Sequence, residues 1–231
     1  MVFGDDQDRE IYLDLVRENA RLNGVSVLGY CLMPNHVHWI VTPQDEDGLA
    51  ATFGQAQGRY SLYFQTRRGT SGHLWQRRYY SCVLGMDHLV RAMRYVEMNP
   101  VRAGMVGRAE EYWWSSARAH IEGWDRLGML DLAAWEKIVP VQEWKEILAG
   151  AAEREDWKEL EKATYSGKPY GDEQFQRRIG MEVGRDLTRK RGRPRKWATG
   201  ENGENGDWHH FLQSEEGAGV GAEEVMKMGK W

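Results

Sequence analysis

The pattern of apolar and polar positions predicts alternating helices and strands over the N-terminal part of the chain. In the first segment apolar residues recur every three or four positions, which is typical of an amphipathic helix. A continuous apolar run follows, and after it comes a run in which two faces alternate; both are typical of strands. The predicted elements are a helix at 6–23, strands at 25–33 and 36–42, a helix at 49–67, a strand at 79–84 and a helix at 87–99.

The bounds of the last predicted helix follow from two residues. Asp87 belongs to the residue types that cap helix N-termini. Pro100 disfavours helical geometry at the residue before it, so the helix is expected to end near Asn99. Its predicted packing face consists of Leu89, Met93 and Val96.

Composition divides the chain into four predicted regions. A Trp-rich segment with helical patterns follows the first elements, then a basic tail, and then a Gly- and Glu-rich segment that we expect to be disordered. The regions are a core at 1–108, a helical extension at 109–165, a basic DNA-binding tail at 166–196 and the expected disordered segment at 197–231.

The order of the elements predicts an α+β fold of ferredoxin-like type, an antiparallel sheet with helices on one face. Compared with the full βαββαβ order, the first strand is missing. That strand is central in such a sheet, so without it the strand at 36–42 would lack one hydrogen-bonding neighbour and edges would be exposed. We therefore expect a start that lies upstream or a truncated gene, which leaves activity open.

Charge is segregated along the chain, although the formal net charge is only −4. Residues 54–108 contain nine arginines against Asp87 and Glu97, and residues 177–196 contain nine basic against two acidic residues. Such segregation favours a polyanionic partner over the alternative of ordinary solvated faces. The sequence contains no apolar run long enough for a membrane span and no signal-peptide pattern. Two cysteines without metal-type spacing predict a reduced, cytoplasmic protein.

Two histidines and a tyrosine–asparagine pair supply the candidate chemistry. His36 and His38 are residues i and i+2 of a strand, so their imidazoles share one face and can converge on one metal ion. Tyr95 and Asn99 are residues i and i+4 of a helix and share a stripe with Arg91. Two imidazoles, an amide oxygen and a phenol suit metal-assisted attack of tyrosine on a phosphodiester. This ligand set favours Mg²⁺ or Mn²⁺ over structural zinc.

Each of these features has a plainer interpretation. A His-x-His pair on an apolar strand is as often a structural feature, or the zinc pair of a hydrolase, as it is part of a site for phosphodiester chemistry. A helical tyrosine is usually a core residue with a satisfied hydroxyl. Tyr79 and Tyr80 compete with Tyr95 as nucleophiles, but no ligand-type residue lies near them at matching spacing.

Four ordered motifs nevertheless resemble one family. The segments at 30–38, 72–79, 95–104 and 114–120 are similar to those of IS200-like single-tyrosine (HUH) transposases, in particular the REP-associated tyrosine transposases. The resemblance implies that Tyr95 is the nucleophile and that His36, His38 and Asn99 bind the metal. It also implies cleavage of single-stranded or hairpin DNA through a 5′-phosphotyrosine intermediate, without a small-molecule cofactor.

Arginines are the candidate DNA contacts, and they lie in the core and in the tail. The tail contains Arg-Gly-Arg-Pro, which is the centre of an AT-hook, a motif that enters the minor groove of A·T-rich DNA. The alternative is an ordinary basic tail that binds only backbone phosphates. We expect a nucleoid-associated location, no membrane partner, and either a monomer or a homodimer. The predicted nucleic-acid-binding residues are Arg59, Arg77, Arg78, Arg91, Arg94, Arg102, Arg191, Arg193 and Arg195.

Two other functions compete with the strand-transferase prediction. The first is a non-catalytic or truncated relic that binds palindromic DNA and cleaves nothing. The second is a hydrolase in which the histidine pair activates water, so that the product carries a free 5′-phosphate and no protein–DNA adduct forms.

Overall fold

A computed structural model of the chain describes residues 1–75, 79–150 and 157–184 together with a strand at 226–230. The N-terminal elements follow the predicted order, and the extension is helical. The elements are α1 (Asp6–Leu22), β1 (Val25–Met33), β2 (His36–Pro43), α2 (Gly48–Arg68), β3 (Tyr80–Leu84), α3 (Met86–Glu97), α4 (Asn99–Arg102), a 3-10 turn (Ala109–Glu111), α5 (Ala117–Glu122), α6 (Leu132–Ile138), α7 (Val141–Ala149), α8 (Trp157–Ser166), α9 (Glu173–Glu182) and β4 (Met226–Lys230).

Local chemistry explains where the helices begin and end. The Asp5 carboxylate accepts the backbone N–H of Asp8 and so caps α1. Helix α2 ends at Gly69, whose φ of 61° lies in the left-handed region that glycine tolerates. The predicted cap at Asp87 is wrong, because α3 begins after Gly85 and Asp87 lies within the first turn, where its charge complements the helix dipole.

The sheet has four strands in the order β1-β2-β4-β3, and every neighbouring pair is antiparallel. Strand β4 therefore occupies the central position that the sequence left without a strand. Strand β2 hydrogen-bonds on both sides, and β3, the strand at the end of the sheet, pairs with β4 instead of remaining unpaired. The expected unpaired edges are thus wrong. So is the expected disorder of residues 226–230, while the other residues beyond 184 lie outside the described part.

Helices cover both faces of this sheet. On one face Trp39 of β2 packs against Tyr12 of α1 and Phe53 of α2, with ring centroids 6.2 and 5.6 Å apart. On the other face α3 approaches β1 so closely that a Cβ at Gly29 would lie 2.3 Å from Met93 Sδ. The α+β antiparallel fold is confirmed, and the second helical layer adds to the predicted single one.

The extension is anchored to the sheet and to the end of α3. Residues 114–116 run along the outer edge of β1, where the Leu32 N–H donates to the Trp114 carbonyl and the Ser116 N–H donates to the Tyr30 carbonyl. The fully buried Glu97 carboxylate, at the end of α3, receives three groups from the extension. They are Ser116 Oγ at 2.5 Å, His120 Nδ1 at 2.7 Å and Trp144 Nε1 at 3.0 Å. No helix within the described ranges has the length and apolar character to cross a membrane.

Candidate active site

The two histidines of β2 face each other at the start of the strand. Their Nε2 atoms lie 3.0 Å apart, and the ring planes are nearly perpendicular. Two nitrogens held about 2.1 Å from one ion at a right angle are about 3.0 Å apart, so this separation fits two ligands of an octahedral ion. His38 is fully buried, whereas His36 is half-buried at the site's edge.

Asn35 orients the first of these imidazoles. Its Oδ1 lies 2.7 Å from His36 Nδ1. Because an amide oxygen only accepts hydrogen bonds, Nδ1 carries the proton and Nε2 presents its lone pair toward His38. Metal-binding histidines commonly hold their other ring nitrogen in this way. The sequence assigned Asn35 only to the turn between the strands, so this role was missed.

Tyr95 lies beside the histidine pair. Its ring packs edge-on against His38, with centroids 5.5 Å apart, and the whole residue is only 1% exposed. The strand face of the histidines and the helix face of Tyr95 therefore meet. The face of α3 that carries Tyr95 is buried like the predicted packing face, while Arg91 on the same stripe remains exposed.

Helix α8 covers the tyrosine hydroxyl. The Tyr95 hydroxyl donates to Glu161 Oε1 at 2.8 Å, and Trp157 lies 5.4 Å from the Tyr95 ring. The Arg102 guanidinium lies over both rings, at 4.8 and 5.7 Å from their centroids. Burial, followed by the hydrogen bond and the charge of Glu161, raises the pKa of Tyr95 well above its ordinary value of 10.0. The phenol is therefore neutral and shielded in this conformation.

Asn99 is the third candidate ligand. Its Nδ2 donates to the carbonyl of Tyr95 at 2.7 Å and to that of Val96 at 3.4 Å, so the amide is oriented by the preceding turn. Within the described ranges, Asn99 Oδ1 accepts no hydrogen bond from a protein donor. No group of three or more His, Cys, Asp or Glu in the described part could hold a metal, and the Asn99 amide oxygen stays the third ligand predicted from the sequence.

The predicted arginines lie in different environments. Arg102 is at the tyrosine, Arg91 is exposed, and Arg59 is paired with Glu18 at 2.7 Å. Arg94 is only 9% exposed and donates to the Gly150 carbonyl, which does not support a phosphate contact. The remaining ones, Arg77, Arg78, Arg191, Arg193 and Arg195, lie outside the described residues.

The competing tyrosines pack elsewhere on the sheet. Tyr80 packs edge-on against Tyr165 of α8, with centroids 5.0 Å apart. Tyr79 lies 6.4 Å from Phe53 of α2, and burial raises the pKa of its hydroxyl. The ring packed against His38 is that of Tyr95.

Comparison with known proteins gives two matches to family models. Residues 1–99 match the model of the IS200-like transposases, which supports the assignment of the N-terminal region to that family. Residues 188–200 match the AT-hook motif, which supports DNA binding by the tail. No curated protein and no solved structure matches the chain.

Proposed function

We propose, with the match of residues 1–99 to IS200-like transposases as the premise, that this chain is a metal-dependent strand transferase of the HUH type. It would cleave and rejoin single-stranded DNA next to a palindromic hairpin, as the REP-associated members do. The observation that carries the proposal is the packing of Tyr95 against His38, beside a histidine pair whose Nε2 atoms lie 3.0 Å apart.

His36, His38 and Asn99 would hold Mg²⁺ or Mn²⁺. The bound ion would polarise the scissile phosphate and stabilise the charge that develops on it. The Tyr95 oxygen attacks phosphorus and loses its proton, while the bond from phosphorus to the 3′ oxygen breaks and that oxygen takes up a proton. The products are a 5′-phosphotyrosine and a free 3′-hydroxyl, which can attack in reverse to rejoin a strand.

Residues around the tyrosine would prepare the reaction. Arg102 lies over the Tyr95 ring and is exposed, and in this proposal its guanidinium would contact the phosphate. Because Tyr95 is 1% exposed, α8 has to move before the hydroxyl can reach a substrate. The tail would add affinity for A·T-rich duplex near the hairpin, and both modes of DNA binding would keep the protein associated with the nucleoid.

The test is the formation of a covalent adduct. The full chain is incubated with end-labelled hairpin DNA and Mn²⁺, and the products are separated on a denaturing gel. We expect an adduct with the wild type and with the control variant Tyr80→Phe, and none with Tyr95→Phe or with excess chelator. Hairpin binding should survive in Tyr95→Phe, because only the nucleophilic oxygen is removed.

A second candidate function is DNA binding without cleavage. It is favoured by the burial of Tyr95 and by its hydrogen bond to Glu161, which together keep the hydroxyl from a substrate. A pure binder would give hairpin affinity and no cleavage in either the wild type or Tyr95→Phe. Cleavage to a free 5′-phosphate without an adduct would instead indicate the water-activating hydrolase.

A further inference from the structure

A recess at the outer edge of the sheet combines exposed indole rings with arginines. It lies on the side of β1 where residues 114–116 are paired, away from the β2–β4 side of the sheet. Trp113 is 46% exposed and Trp124 is 64% exposed, although tryptophan is usually mostly buried. Its lining includes Trp113, Arg118, Glu122, Trp124, Asp125 and Arg126.

Two guanidinium groups lie over one of these rings. Arg118 and Arg126 are 4.9 and 5.0 Å from the centroid of Trp113, within the range of cation–π attraction. Arg118 is also held through its Nε, which donates to the Glu110 carbonyl at 3.1 Å. The arginines are therefore ordered before any ligand arrives.

Neither arginine is neutralised by a carboxylate of the described residues. Asp125 lines the same recess, but both of its carboxylate oxygens accept backbone N–H groups of the following turn. These are Leu127 at 3.0 Å, Met129 at 2.6 Å and Leu130 at 2.8 Å. Most ordered arginines elsewhere are paired, as Arg59 is with Glu18 and Arg67 with Asp5 and Asp8. Glu122 is a second carboxylate of the lining, but within the described residues it forms no ion pair with either arginine. Two guanidinium groups without an ion pair to the described residues thus stand on an exposed aromatic surface.

We propose that this recess binds single-stranded DNA, with a base stacked on Trp124 and the adjacent phosphates held by Arg118 and Arg126. Aromatic rings next to arginines suit an unpaired strand, because every base has a face to stack and every nucleotide has a phosphate. The proposal deepens the proposed function, since it rests on a single strand being the substrate. It adds a contact outside residues 1–99, the segment that matches the family model.

The first measurement is the salt dependence of binding of a labelled oligothymidylate to the full chain. The double variant Arg118→Gln/Arg126→Gln removes two charges from the recess. The control Arg21→Gln/Arg108→Gln removes two charges from exposed arginines that do not line the recess and are not among the predicted nucleic-acid-binding residues. For single strands each phosphate contact contributes about 0.7 to the slope of log affinity against log salt, so the recess variant should lower the slope by about 1.4. The control should leave the slope unchanged.

The second measurement removes the stacking surface without changing charge. Trp124→Ala should weaken oligothymidylate binding by about fivefold or more, because base–aromatic stacking contributes at least that much per base. Binding of a fully paired duplex of equal length should not change. Trp124 is 64% exposed, so the variant is expected to fold, which circular dichroism checks.

The proposal would be overturned if Arg118→Gln/Arg126→Gln and Trp124→Ala both bound oligothymidylate with unchanged affinity and unchanged salt slope. The recess would then be a candidate site for a protein partner. Equal losses for single strand and duplex would overturn the proposal too. Tyr95→Phe separates this result from the proposed function. Tyr95→Phe should bind oligothymidylate like the wild type. Loss of the covalent adduct together with unchanged oligothymidylate binding would therefore test the strand-transfer reaction and not the recess.

Discussion

Removal of the Glu161 side chain tests whether α8 acts as a cover on Tyr95. The hydrogen bond from the Tyr95 hydroxyl to Glu161 is 2.8 Å long, and a bond to a charged acceptor contributes about 1.5–3 kcal/mol. Because Glu161 is half-buried, the lower end of this range applies. The ring contacts of Trp157 and Arg102 with Tyr95 remain in Glu161→Ala and contribute about 0.5–1.5 and 0.5–1 kcal/mol.

The expected result is a faster reaction. A loss of about 1.5 kcal/mol in the covered state raises the uncovered fraction about tenfold while the covered state still predominates. The initial rate of adduct formation with hairpin DNA should rise by a similar factor in Glu161→Ala. Glu159→Ala is the matched control, because Glu159 is an exposed acidic residue of the same helix. An unchanged rate would refute the cover, and a tenfold fall would mean that Glu161 assists the nucleophile.

A stability measurement checks the same contact without relying on activity. Glu161→Ala should cost about 1.5 kcal/mol of unfolding free energy in the wild-type background and much less in Tyr95→Phe, which lacks the donor. The coupling energy from this double-mutant cycle, measured by urea unfolding, isolates the hydrogen bond. A coupling near zero would show that the bond does not hold α8 in place.

Four further predictions follow from single features of the structure. Glu97→Ala leaves the buried donors of His120 and Trp144 without an acceptor, while Ser116 keeps the Tyr30 carbonyl, and should lower the unfolding free energy in urea by about 3–5 kcal/mol; a loss below about 1 kcal/mol would contradict the network. Asn35→Ala should weaken Mn²⁺ binding about tenfold in a calorimetric titration, because His36 loses its orienting partner. Burial raises the pKa of the Cys82 thiol from 9.0 to about 11, so the folded state keeps a proton that the unfolded state loses. The unfolding free energy should therefore fall by about 1.4 kcal/mol per pH unit between pH 9.0 and about pH 11, and it should fall less steeply in Cys82→Ala. Deletion of residues 226–231 should speed amide exchange in β2 and β3, which otherwise pair with β4.

Local patterns were sufficient to predict most N-terminal elements. The bounds of β1 agree residue for residue, and those of α1, β2 and α2 agree within one, because strand alternation, helical spacing and glycine stops act over a few neighbours. The helix predicted at 87–99 ends at Glu97, and Asn99 begins a separate short helix with Pro100 in its first turn. The mistaken cap at Asp87 shows the limit of this reasoning, since residue type alone does not determine which residue precedes the first turn.

The missing parts of the fold depend on contacts between distant segments. Residues 226–230 follow a Gly- and Glu-rich segment and alternate apolar and polar residues only from Met226 to Met228, which is too short to predict a strand, and in the structure they fill the gap between β2 and β3. Glu161 is 66 positions from Tyr95, and no periodicity connects the two residues. The burial of the Tyr95 stripe was unexpected for the same reason, because α8 supplies the second surface that covers it.

These distant contacts imply that the candidate site depends on the chain beyond its family-like segment. Residues 1–99 contain both histidines, Tyr95 and Asn99, yet three anchors of that geometry come from later residues. Strand β4 completes the hydrogen bonding of β2, the extension holds the Glu97 end of α3, and α8 covers the tyrosine. The first two position the proposed metal ligands and the proposed nucleophile, whereas the third shields the Tyr95 hydroxyl from a substrate. The C-terminal part therefore both builds the site and restrains it, and a substrate that displaces α8 while leaving β4 paired would release the restraint without dismantling the sheet.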